Sequence, residues 1–265
     1  MNDSSAQFHG SIPEFYDRYL GPFLFEPYAN DLARRVNSSR PGRVLELACG
    51  TGVSTKALRL ALPGDNELVA TDLNPPMIEF ARAKLAGADI HWRTADATAL
   101  PFKDQTFDTV ACQFGFMFLP DRALGFREAR RVLRPGGRLL VSTWCSLADN
   151  PAAGIAHAVV SRMFADDPPQ FLRVPYGSLD DVTMRSLALE AGFGNVDVTR
   201  VDVTGNAPDA RAVATGFVKG TPLSLALLER GADLDAVADA FTAELSKHGG
   251  TPFRSPLAAF VLTAS

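Results

Sequence analysis

Gly50 and Gly52 lie two residues apart in the run Glu46 to Thr55 (ELACGTGVST), between an apolar segment and a helical pattern. Glycine lets a chain turn sharply and approach a ligand closely. Free N–H groups at a helix start favour an anionic or carboxylate-bearing ligand. Taken alone, the run is equally a tight strand-to-helix turn that binds nothing. A dinucleotide loop needs G-x-G-x-x-G, and the third glycine position holds Thr55. A P-loop needs G-x-x-x-x-G-K-[ST]; that spacing is missing, and Lys56 comes too late. Asp72 follows Gly52 by twenty residues. Its two oxygens can accept both hydroxyls of a ribose, or it can cap the helix starting at Pro75 to Met77. Asp96, in ADATALPF, is a second acceptor that suits an amino donor, or else a solvated loop residue.

No histidine stands out as a catalytic base. His91 sits in a strand-like run leading away from these residues. His9, His157 and His248 lie in segments able to cover a pocket, but a surface position accounts better for each.

These residues are positioned by apolar runs alternating with helical patterns. Strands are predicted at Arg43 to Leu47, Glu67 to Thr71, Ile90 to Arg93, Phe107 to Cys112, Arg138 to Trp144, Val196 to Val203 and Leu257 to Thr263. Helices are predicted at Thr55 to Ala61, Pro76 to Leu85, Asp121 to Leu133 and Asp180 to Ala191, with Gly192 as a C-terminal cap and Pro135-Gly136-Gly137 as a turn. The alternation implies an α/β fold, a mostly parallel seven-stranded sheet with helices on both faces. Ile12 to Val36 is aromatic-rich and helical in pattern, with breaks expected at Pro22 and Pro27. Two stretches exceed ordinary connections, Ser146 to Ser178 and a helical Asn206 to Thr251. The expected organisation is one domain: an N-terminal helical segment over 1–40, an α/β core over 41–145, and insertions at 146–178 and 206–251 that serve as lids or interface elements.

Composition sets the class. Of 265 residues, 46% are hydrophobic and 21% charged, which suits a globular chain able to bury a core without staples. A net charge of −4 gives no general attraction for phosphate backbones or anionic membranes, so no nucleic-acid partner is expected. Arg127, Arg130, Arg131 and Arg134 read as a solvated helix face. The cysteines Cys49, Cys112 and Cys145 are odd in number and form no CxxC pair; buried, reduced thiols, a cytoplasmic setting and no metal site are expected. No basic region precedes an apolar core in the first ten residues, so no signal peptide is expected. The longest apolar stretch, near Val110 to Leu119, is too short for a membrane span.

The run Val44 to Gly52 (VLELACGTG) resembles motif I of the class I S-adenosylmethionine-dependent methyltransferases. Thr71 to Met77 (TDLNPPM) is similar to their second motif. FDTVACQFGFMFLPD followed by EARRVLRPGG resembles the ubiquinone/menaquinone biosynthesis branch, which acts on small molecules. The likeness runs from Phe8 to Val203 and fades over Asn206 to Thr251. It implies a Rossmann-like fold and a cofactor site in which Glu46, Ala48, Gly50, Thr51 and Gly52 pass beneath the methionine portion. Asp72 would hold the ribose, with Leu73 and Met77 packed on the nucleoside. Asp96 and Ala97 would meet the adenine edge, and Gln113 and Phe114 the methionine end near the substrate entry. Tyr16 and Tyr19 would close the site or simply pack the first helix. The implied reaction is methyl transfer from S-adenosyl-L-methionine, leaving S-adenosyl-L-homocysteine, to oxygen or carbon of a small organic acceptor. A homodimer stays open as an assembly. A cofactor-binding protein without catalysis and an NAD(P)-dependent oxidoreductase are the competing readings.

Overall fold

The computed structural model describes residues 10–265. The expected lack of a leader and any role for Phe8 or His9 lie outside the described residues. The chain begins with α1 (Ile12–Phe15), a π-helical stretch (Tyr16–Phe25) and α2 (Glu26–Asn37). The breaks expected at Pro22 and Pro27 do not occur. Pro27 sits in the first turn of α2, where its missing N–H has no partner to lose. Pro22 lies inside the π-helical stretch, where the wider turn takes the ring and the Glu26 N–H reaches back to the Gly21 carbonyl.

Next come β1 (Arg43–Leu47), α3 (Val53–Ala61), β2 (Glu67–Asp72), α4 (Pro75–Lys84), β3 (His91–Thr94), β4 (Phe107–Gln113) and α5 (Arg122–Val132). β5 (Leu133–Trp144) begins earlier than its apolar run. The expected Pro135–Gly137 turn is a bulge within it, across which pairing with β4 passes from Phe107↔Leu133 to Thr109↔Arg138. α6 (Pro151–Met163), a 3₁₀ turn (Phe171–Arg173) and α7 (Asp181–Glu190) fill the first insertion and its exit. β6 (Val196–Ala207), α8 (Ala210–Lys219), α9 (Leu223–Glu229), α10 (Leu234–Leu245) and β7 (Phe253–Ala264) complete the chain.

The seven strands form one sheet in the order β3-β2-β1-β4-β5-β7-β6. Pairings from β3 through β5 are parallel, and β7 runs antiparallel to both β5 and β6. Side-chain alternation sends successive strand residues to opposite faces. Val44, Leu68 and Leu140 pack with Leu32, Val36 and Leu58 of α2 and α3. Leu45, Val69 and Val141 pack with Phe126, Val132, Met184 and Ala188 of α5 and α7. A third core joins the π-helical stretch to α6, α8 and α10 through Phe23, Val160, Val213, Phe217 and Phe241.

The arginines of α5 are not simply a solvated face. Arg131 pairs with Glu128 and Asp104 and donates to the Leu100 and Phe102 carbonyls, pinning the loop before β4. Its planar fork of donors suits that convergence.

Candidate functional site

Strand order reverses between β1 and β4, so their C-terminal ends diverge into a crevice, where open α/β sheets place their ligands. A cavity of about 400 Å³ opens there. The loop leaving β1 is left-handed at Ala48 (φ 52°), Gly50 (φ 55°) and Gly52 (φ 78°). At Gly52 a side chain would also meet Ala81 of α4, with a Cβ only 3.1 Å from the Ala81 Cβ. At Gly50 no atom lies within 4 Å of where a Cβ would be, so the bare backbone faces open space. β4 is followed directly by another left-handed residue, Phe114 (φ 57°). Non-glycine residues in this region are strained, and such strain collects at functional sites. Neither Ala48 nor Phe114 advertises its conformation by residue type.

The Asp72 carboxylate, 6% exposed, stands at the cavity wall. One oxygen accepts the Gly50 N–H at 2.9 Å, and the other accepts the Asn74 N–H at 2.8 Å and its side-chain amide at 3.2 Å. Burial pushes this carboxyl above the usual range, while the three N–H donors pull it back. Asp96 is exposed; its Oδ1 accepts the Thr98 N–H and hydroxyl, each at 2.7 Å.

Glu46 lies on β1 facing α3 and is fully buried, accepting the Ser54 hydroxyl through one oxygen. Its other oxygen has no hydrogen-bond partner. Burial pushes this carboxyl up to about 7. Gln113 donates to the Phe25 carbonyl at 3.1 Å, tying the N-terminal segment to the end of β4, while its Oε1 is buried without a partner. Lys84 clamps the same segment over the loop by donating to Asp17 and, at 3.2 Å, to the Thr51 carbonyl.

Nine of the twelve sequence candidates therefore share one cavity wall: Ala48, Gly50, Asp72, Leu73, Met77, Asp96, Ala97, Gln113 and Phe114. Glu46, Thr51 and Gly52 do not line it; they shape the loop from behind. Tyr16 lines it, whereas Tyr19 stacks on Phe15 away from it. His157 instead accepts from Arg173 at 3.3 Å, and neither it, His91 nor His248 lines a cavity here.

A second cavity lies beside the first. It is narrow, about 40 Å³ in volume, lies between the sheet and the helical insertions, and shares Tyr16, Phe114 and Phe118 with the first. Its other walls include Trp144, Phe171, Tyr176 and Phe217, which are scattered along the chain with no motif spacing. Phe114 lies flat on Trp144, with ring centres 3.8 Å apart. Among the described residues, no carboxylate, histidine, lysine or arginine lines this cavity. All three cysteines are buried and free.

A methyltransferase-domain family model matches residues 45–141. A demethylmenaquinone methyltransferase of Lactiplantibacillus plantarum is 33% identical over 184 residues, 63% of this chain and 76% of the relative. A ubiquinone/menaquinone biosynthesis C-methyltransferase of Hahella chejuensis is 39% identical over 122 residues, 44% of this chain and 49% of the relative. Among solved structures, a phosphoethanolamine N-methyltransferase of Haemonchus contortus superposes with a TM-score of 0.61 at 16% identity, covering 96% of this chain and 56% of that one. At that identity the likeness speaks for the fold alone, and the fold is that of the class I methyltransferases. The chain belongs to the ubiquinone/menaquinone-type family of S-adenosylmethionine-dependent methyltransferases. Its reaction is methyl transfer from S-adenosylmethionine to a small acceptor. Among the described residues no helix is long and apolar enough to cross a membrane.

Proposed function

We propose that the larger cavity holds S-adenosylmethionine and the smaller one the methyl acceptor, an apolar molecule of the quinone class named in the family relatives, methylated at carbon. One observation carries this reading: the cavity bearing the Asp72 carboxylate and the bare Gly50 backbone shares the Tyr16, Phe114 and Phe118 wall with an aromatic chamber without ionic side chains.

The residues fit the cofactor. Asp72 offers carboxylate oxygens to the ribose hydroxyls while anchored by backbone N–H groups. Leu73 and Met77 flank the base, and Asp96 and Ala97 stand at its edge. Ala48 and Gly50 let the methionine chain pass close to the backbone, with Thr51 and Gly52 holding the turn. The unpartnered Oε1 of Gln113, which lines this cavity, is an acceptor suited to an ammonium group.

S-adenosylmethionine supplies a methyl group on a positively charged sulfur, so no side chain needs to activate it. Aromatic faces at the junction attract that cation. The helical layer keeps water out and aligns the acceptor, and positioning of this kind can lower a barrier by about 7–11 kcal/mol. The insertions 146–178 and 206–251, with the 1–40 segment, serve as the lid of a single domain. Incubation with radiolabelled S-adenosylmethionine and a panel of hydroquinones, phenols and amines tests the reading. Label should enter hydroquinones as carbon-bound methyl; label entering only amines, or none of the panel, contradicts it.

A further inference from the structure

Two polar groups stand out in the otherwise apolar chamber. The Tyr176 hydroxyl and the Trp144 indole N–H have no hydrogen-bond partner among the described residues, and both side chains line the cavity, 7% and 3% exposed. The two residues are coupled. Their backbones form a parallel bridge, which puts both side chains on one side, and their rings stack at 5.6 Å. Of the two other polar side chains of the wall, Thr221 already donates to the Phe217 carbonyl at 2.7 Å, and Tyr16 makes interactions of its own. Neither atom is sealed off inside the protein, so a pair of donors with no protein partner on one cavity wall points to a ligand that completes them.

We propose that Tyr176 and Trp144 together hold one oxygen atom of the methyl acceptor and so select a flat, oxygen-bearing ring. The proposal rests on the reading of this chamber as the acceptor site. Indole N–H only donates, and a tyrosine hydroxyl donates to a stronger acceptor, so a carbonyl or oxyanion matches the pair. Burial pushes the Tyr176 phenol well above its ordinary range, which keeps its proton in place for donation. A protonated amine finds no carboxylate in this wall and would be buried unpaired. The walls favour a planar body: Phe114 lies parallel to Trp144 within 2°, and Phe118 stacks with Phe171. Tyr176 and Trp144 are specificity-determining and positioning residues on this account. They fix which edge of the ring faces the Tyr16, Phe114 and Phe118 junction. Both lie outside residues 45–141, where the methyltransferase-domain model matches, so that model carries no information about the pair.

The test uses 1-naphthol and naphthalene, which share a shape and differ by one hydroxyl, titrated calorimetrically into the full chain loaded with S-adenosylhomocysteine. The wild type should bind 1-naphthol about tenfold more tightly than naphthalene, as one or two hydrogen bonds provide. Tyr176→Phe should bring the two probes within about threefold while leaving naphthalene affinity unchanged, and Trp144→Phe should reduce the preference in part. Equal binding of both probes by the wild type, no saturable binding of either, or an undiminished preference in Tyr176→Phe overturns the proposal. The wild-type comparison stands even if a variant does not fold. Failure of the cofactor reading is seen separately, at the loading step, before any probe is added.

Discussion

The carboxylate of Asp72, last residue of β2, accepts the backbone N–H of Gly50 at 2.9 Å, so the ribose-binding candidate and the glycine turn are one unit. Replacing Asp72 by alanine removes a ligand acceptor and also strands a loop N–H. Affinity for S-adenosylhomocysteine should fall by about 10- to 100-fold, or 1–3 kcal/mol. Calorimetry on folded protein checks this, with Asp72→Asn expected to retain more affinity than Asp72→Ala. Unchanged affinity in a folded alanine variant refutes the assignment.

Glu46 links the loop to pH. Its carboxyl sits at about 7 in the folded chain and near 4.3 when unfolded, so between these values the folded state binds the extra proton. Its stabilising effect is complete below about pH 4 and is lost as pH rises through 7, on the order of 3 kcal/mol. Glu46→Gln should remove this fall. Urea unfolding of both proteins from pH 5 to pH 8 reads the difference, and parallel stability curves contradict it.

Gly115, just after Phe114, leaves no room for a side chain: a Cβ would lie 2.5 Å from the Ala48 Cβ and 2.7 Å from the Cys112 sulfur. Gly115→Ala should cost about 1–3 kcal/mol through overpacking. Because Ala48 is the neighbour displaced, cofactor affinity should fall as well. Thermal unfolding with and without S-adenosylhomocysteine separates the two effects.

Lys84 holds Asp17 of the π-helical stretch and the Thr51 carbonyl of the loop at once. A partly exposed pair contributes at most about 1 kcal/mol, so Lys84→Met should leave overall stability nearly intact. Cofactor release should quicken about threefold as the N-terminal segment loosens. Stopped-flow displacement measures it, and an unchanged release rate removes the clamp from the account.

The parallel half of the sheet was legible because buried parallel strands read as continuous apolar runs, as in RVLEL of β1. The ends of β6 and β7 were not. Both strands extend beyond their apolar alternation, because antiparallel pairing from Val196↔Ala264 to Ala207↔Phe253 carries polar residues such as Thr204 and Asn206 along. Pro22 suggested a break that the wider helical turn absorbs. At the site, side chains from short contiguous motifs were readable, with Asp72, Asp96 and Gln113 all reaching one cavity. Glu46 belongs to the same motif yet lies behind the loop, since strand alternation turns it toward α3 and Ser54. The acceptor chamber was invisible for another reason. Tyr16, Trp144, Tyr176 and Phe217 meet only where the N-terminal segment, the end of β5 and the two insertions pack together, which no spacing records.

If S-adenosylmethionine binds by way of Asp72 in the crevice at the ends of β1, β2 and β4, a crystal structure of the chain with S-adenosylhomocysteine should show ribose hydroxyls within hydrogen-bond reach of the Asp72 carboxylate. The adenine should lie beside Asp96 and Ala97, and the sulfur should point toward Phe114 and the aromatic chamber. A nucleoside bound elsewhere, or in this crevice with its ribose turned away from Asp72, would contradict this assignment.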